Sequence, residues 1–207
     1  MVDTQVRPSD VTKFPVLDAM LSVPRERYVP DGARDLAYMD GPIDLGGGRQ
    51  LLEPRAIGKI LEALEPTQDE MVLEIDDGLG YTTALLAHLA EAVVAVEQDE
   101  DLSREAEAML SDAGVDNAAV VKAPLVEGSA KHGPFDVVVA FGGVADIPDT
   151  ITDQLKEGGR IAAIFMDGAV GEARIGLKGG GRVSWRMAFN ATAPVLPGFG
   201  RVPSFQF

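Results

Sequence analysis

Between residues 66 and 165, short apolar runs rich in valine, isoleucine and alanine alternate with stretches whose apolar side chains recur at helical spacing. Such segments bury their apolar surface as strand, crossover helix and parallel strand, with helices packed on both faces of the sheet. Residues 71–75 read as a buried strand, 81–90 as a helix, and 92–96 as a second strand ending in Glu97. Residues 101–113 read as a helix stopped by Gly114, and 118–121 as a short strand. Residues 135–141 are the clearest buried strand, followed by a helix over 147–155 and a strand over 160–165. The expectation is an α/β fold of Rossmann-like type, a doubly wound and mostly parallel sheet.

The flanks read differently. Residues 10–23 place Val11, Phe14, Leu17, Ala19, Met20 and Leu21 near helical spacing before Pro24 ends the run. Residues 40–54 are dense in glycine and proline and predict a loop able to approach a ligand closely, and residues 55–64 return to helix. Toward the carboxyl end, 182–189 and 194–207 predict antiparallel edge strands broken by Pro197, Pro203 and glycines. The expected organisation is a single domain over 1–207. It divides into an N-terminal helical and loop extension (1–65), a ligand-binding core (66–170) and C-terminal edge strands (171–207).

Composition narrows the function. With 18 basic and 33 acidic side chains the formal charge is −15, which argues against a nucleic-acid partner. No cysteine is present, so thiolate chemistry and disulfides are excluded, and two histidines make a histidine metal site a poor reading. The first residues carry no apolar core of a secretory signal and no run approaches the ~20 apolar residues of a membrane span, so a cytoplasmic protein is expected.

In open parallel sheets a ligand sits beyond the carboxyl ends of the strands, where strand order reverses. The turn after the first core strand is Glu74-Ile75-Asp76-Asp77-Gly78-Leu79-Gly80-Tyr81. Gly78 and Gly80 let backbone N–H groups face a ligand at a helix N-terminus. Glu97, 17 residues after Gly80, ends the next strand, where a carboxylate accepts the two hydroxyls of a ribose. The pair suggests a ligand carrying adenosine; a plain turn followed by a helix-capping acid accounts for the same pattern. In the run from Glu97 to Asp101 only Glu97 is placed for a ligand, and the others favour the next helix's N-terminus. His88, His132 and Asp136 read as structural residues, and Phe141-Gly142-Gly143 as either the floor of a site or a loop needing positive φ. Trp185, Phe189, Phe199, Phe205 and Phe207 read as closing a core or an interface, so a monomer or a homodimer is expected.

With these residues in view, the chain resembles the protein-L-isoaspartate O-methyltransferases, Rossmann-like enzymes dependent on S-adenosylmethionine. The resemblance rests on VLDAMLSVPRERYVP (16–30) with Ala37-Tyr38-Met39-Asp40, on VLEIDDGLGYTTALLA (72–87), on Glu97, on GPFDVVVA (133–140) and on QLKEGGRIAAIF (154–165). It implies transfer of a methyl group to the α-carboxyl of an L-isoaspartyl residue in a protein or peptide. It also implies a cofactor site at Glu74, Asp76, Gly78, Gly80, Tyr81, Glu97, Ala123, Pro124 and Phe141. The family's substrate loop, Gly-Gln-Thr-Ile-Ser-Gln-Pro, is here Gly48-Arg49-Gln50-Leu51-Leu52-Glu53-Pro54. Gln50 and Leu52 thus stand where the family has hydroxyls. Arg49 and Gln50 are expected to meet the substrate carboxylate, and Glu53 to repel it. Asp76 replaces the first glycine of the cofactor turn, and Ala123-Pro124-Leu125 replaces a Gly-Asp-Gly whose acid holds the adenine. Two other readings follow from these departures: a non-catalytic relative serving as a binding module, or a methyltransferase with a different acceptor.

Overall fold

The computed structural model describes residues 1–76 and 78–201. A π-turn (Val2–Val6) and a short 3-10 turn precede helix α1 (Phe14–Ser22), and two further 3-10 segments, Arg25–Tyr28 and Asp31–Leu36, follow it. A two-stranded antiparallel hairpin, β1 (Ile43–Gly46) and β2 (Arg49–Leu51), leads into α2 (Pro54–Leu64). The alternating core comprises β3 (Met71–Ile75), α3 (Tyr81–Leu89), β4 (Ala92–Glu97), α4 (Glu100–Asp112) and β5 (Ala118–Lys122). It continues with β6 (Phe135–Val144), the single turn α5 (Asp149–Thr152) and β7 (Leu155–Asp167), and closes with β8 (Val170–Gly179) and β9 (Arg182–Asn190).

The seven-stranded sheet runs β5-β4-β3-β6-β7-β8-β9, parallel from β5 to β7 and antiparallel through β8 and β9. Because β4 and β6 flank β3, strand order reverses at the carboxyl ends of β3 and β6. Period-two alternation sorts the strands' side chains between two cores. Val72, Val137 and Val139 face α1, α2 and α3, while Leu73, Val138 and Ala140 face α5, Leu125 and the 196–199 segment. The doubly wound expectation holds, with far less helix on the second face.

Several expectations need correction. The glycine-rich stretch 40–54 is a hairpin, because Gly47 and Gly48, both at positive φ, form a two-residue turn that brings Gly46 opposite Arg49. The helix expected over 147–155 shrinks to one turn, since Leu155 already pairs with Phe135 at the start of β7. Strand β8 was hidden by its glycines; Gly171 and Gly176 are small because Ala191 and Val183 press on them at 2.3 and 2.4 Å from where a Cβ would lie. Of 194–207, the described part is no strand, only a single bridge from Val195 to Gly143, and residues 202–207, with Phe205 and Phe207, lie outside the described residues. Gly142 and Gly143 belong to β6 itself and need no positive φ; the 193–196 segment lies where their side chains would be. The aromatic residues do not form one cluster: Trp185 packs edge-on against Phe165, Phe189 lies under Lys59, and Phe199 is buried beside Leu196. Among the described residues, no helix is long and apolar enough to cross a membrane.

Candidate functional site at the strand switch

The β3–α3 turn is built for close approach. Gly78 and Gly80 have φ of +55° and +88°, and Gly80 caps α3, whose first residue, Tyr81, is buried. Asp76, at φ +69°, shares this left-handed backbone although it carries a Cβ. Its amide continues the parallel ladder by donating to the Val96 carbonyl at 3.0 Å. Glycine is the natural residue at such a position, so Asp76 costs backbone energy on the order of 1 kcal/mol.

Glu97 ends β4 and is fully buried. Its Oε1 accepts from the Asp99 amide at 2.8 Å and from Arg49 Nη2 at 2.7 Å, while Oε2 has no hydrogen-bond partner. Arg49, only 4% exposed, also pairs through Nη1 with Asp76. The hairpin therefore carries a guanidinium between the two acids at the switch point. Leu45 of the same hairpin lies over the turn, its Cδ1 2.7 Å from where a Gly78 Cβ would stand.

The remaining expected residues are distributed as follows. Glu74 is buried beneath the turn and accepts from Thr83 Oγ1 at 2.6 Å; burial pushes its carboxyl up to about 7, partly offset by donation from Thr82 and Thr83. Ala123 donates its amide to the Glu97 carbonyl at 3.1 Å, and Pro124 opens the 3-10 turn Leu125–Glu127 beside it. Phe141 is buried within β6, in the core shared with α2. Gln50, with Asp40, Glu53, Arg55 and Thr192, lines a separate open cleft of about 490 Å³. Arg49 does not line it, contrary to its expected place beside the substrate carboxylate. Leu52 does not either: its side chain is buried in the core, so no polar group at that Cβ would face the cleft as it stands.

Arg25 escaped notice in the sequence. Fully buried, it donates from Nε to the Ala37 carbonyl at 2.8 Å and from Nη2 to the Leu52 carbonyl at 2.7 Å, and lies 5.0 Å from the Tyr81 ring centre. Burial lowers its pKa from the ordinary range. It ties the hairpin's exit to the 3-10 segment before it and to Tyr81 at the start of α3. The only signal was a charge in the run Val23-Pro24-Arg25-Glu26-Arg27-Tyr28, which reads equally as an exposed turn. His88 pairs with Asp18 at 3.1 Å, His132 with Ser129 at 2.7 Å, and Asp136 with Lys156 and the Met71 amide. Among the described residues no three His, Asp or Glu side chains group as metal ligands.

A sheet ordered in this way, with a glycine turn after the central strand and an acid at the end of its neighbour, defines a Rossmann-like fold of the methyltransferase class. The chain superposes on a solved protein-L-isoaspartate O-methyltransferase with a TM-score of 0.83 at 22% identity, covering 93% of this chain and 63% of that one. A second solved structure, a PCMT from Plasmodium falciparum in complex with S-adenosyl-L-homocysteine, gives 0.78 at 18% identity, covering 92% and 94%. The chain belongs to the protein-L-isoaspartate(D-aspartate) O-methyltransferase (PCMT) family, whose profile matches residues 3–167. Among sequence relatives, the protein-L-isoaspartate O-methyltransferase of Pelotomaculum thermopropionicum is 34% identical over 81% of this chain and 73% of that protein. The one from Syntrophus aciditrophicus is 37% identical over 78% and 74%.

Proposed function

We propose that this chain is an S-adenosylmethionine-dependent O-methyltransferase acting on the α-carboxyl of isoaspartyl residues in proteins or peptides of the cytoplasm. The observation that carries the reading is Glu97, a buried carboxylate beside the left-handed Gly78 and Gly80, with an oxygen that has no donor. A buried carboxylate oxygen without a donor is costly, and a ribose hydroxyl would supply one. The residues therefore fit an adenosine-bearing cofactor by donor set, although the hairpin that carries Leu45 and Arg49 must draw back to admit it.

In this assignment Glu97 holds the ribose, and the turn from Asp76 to Tyr81 faces the amino-acid end. Ala123 and Pro124 border the base, and Phe141 backs the site from β6. Glu74 supports the turn from below through Thr83. When bound, the cofactor supplies a methyl group already activated on a sulfonium, so the protein's work is alignment and exclusion of water. The substrate side is the cleft at Gln50. There the Gln50 amide and the half-exposed Arg55 guanidinium present donors to a carboxylate, and Glu53 turns away acceptors with additional negative charge.

The test is transfer of labelled methyl from S-adenosylmethionine to an isoaspartyl peptide and to its normal aspartyl isomer. The reading expects incorporation into the isoaspartyl peptide alone, reduced at least about tenfold by Glu97→Ala. Equal labelling of both peptides, or of neither by the folded protein, overturns it.

A further inference from the structure

We propose that Arg49 is an internal plug of the ribose seat, holding with its own guanidinium the place a ligand must take. The inference rests on the cofactor assignment to Glu97 and extends it. Three observations carry it. The guanidinium is almost fully buried and is ion-paired to both Glu97 and Asp76. Glu97 Oε1, one of the two oxygens a diol would use, is already occupied by Arg49 and the Asp99 amide. Asp76 keeps a side chain at a left-handed position suited to glycine, and the partner its carboxylate meets there is Arg49.

The geometry makes the plug a charge-exchange device. The two acids and one guanidinium leave the buried cluster at a formal −1. Withdrawing Arg49 leaves two buried carboxylates without a cation, which is strongly unfavourable unless the incoming ligand brings positive charge. S-adenosylmethionine, with a sulfonium, an ammonium and a carboxylate, carries a net +1; S-adenosylhomocysteine, its sulfur neutral, carries none. The sulfonium ligand therefore replaces the charge that Arg49 removes, whereas the thioether product does not, so Arg49 returns and favours its release. The hairpin that bears Arg49 also bears Gln50 at the cleft, so filling the ribose seat and shaping the substrate cleft are coupled through β2.

The experiment is calorimetric titration of the full-length chain with each ligand, using the wild type, Arg49→Met and the double variant Arg49→Met/Asp76→Gly. The double variant guards against misfolding, because it removes one of the two acids left unpaired and relieves the left-handed backbone. Melting of each protein without ligand confirms that it is folded. The plug requires the double variant to bind S-adenosylhomocysteine at least about tenfold more tightly than the wild type. It also requires the wild type to prefer S-adenosylmethionine over the product by a larger ratio than the double variant does. Wild-type binding as tight as that of the double variant, or an unchanged preference, overturns the plug and leaves the cofactor assignment standing. Absence of binding by every folded protein overturns both.

Discussion

Replacing Glu74 with glutamine should stabilise the protein at pH 8 and destabilise it slightly, by about 1 kcal/mol, at pH 4. Glu74 is buried under the glycine turn, and desolvation raises its carboxyl from the ordinary 4.5 to about 7. The folded state thus holds this proton more tightly than the unfolded chain. Stability from this group is complete below pH 4.5, declines as pH rises toward 7, and is flat beyond. At about 1.4 kcal/mol per unit of pKa, the loss amounts to roughly 3 kcal/mol. Glutamine cannot ionise, and its carbonyl oxygen can still accept from Thr83. The other atom of the group has no partner in the wild type and gains none in the variant, which returns about 1 kcal/mol of the benefit. A net gain of about 2 kcal/mol at pH 8 raises Tm by roughly 4–8 °C in a chain of this size. The assay is chemical unfolding of both proteins across pH 4–8, read as the difference between them so that other groups cancel. A difference that stays flat from pH 5 to pH 8 refutes the reasoning.

Three further outcomes follow from the packing. Arg25→Met should cost about 2–4 kcal/mol in urea unfolding, because the Ala37 and Leu52 carbonyls lose their donors, and Arg25→Lys should recover little since one ammonium does not reproduce the fork. Leu52→Ser, which would restore a hydroxyl at the family's position, should instead lower stability by about 2–4 kcal/mol and leave methyl transfer no faster, the side chain being in the core. Gly176→Ala should cost about 1–3 kcal/mol in thermal melts, because its Cβ would lie 2.4 Å from Val183 and 2.7 Å from Ile161, and Val183→Ala in the same chain should return part of the loss.

The parts of this molecule that were legible in the sequence are those in which one physical rule acts alone. Strands β3, β4 and β6 are buried on both faces, so their valine and isoleucine runs announce themselves without help from context. Gly78, Gly80 and Glu97 were legible for the same reason: a turn at a helix start needs glycine, and an acid at a strand end stands out against apolar neighbours. The hairpin was not, because three glycines at residues 46–48 read as a loop until their positive φ values are seen to make a two-residue turn. Strand β8 was missed because Gly171 and Gly176 weaken a strand pattern, although they are there for close neighbours. Arg49 is the most instructive case. Its partner Glu97 lies 48 residues away and Asp76 in the turn after β3, so no local pattern could show that a residue of the 43–51 hairpin turns toward the two acids at the strand switch.

The most direct test of the account is a crystal structure of the full-length protein grown with S-adenosylhomocysteine at saturating concentration. The account predicts the ribose hydroxyls on Glu97, the Arg49 guanidinium withdrawn from Glu97, and the 43–51 hairpin displaced from Gly78. A ligand bound elsewhere, with the Arg49–Glu97 pair intact, would contradict it.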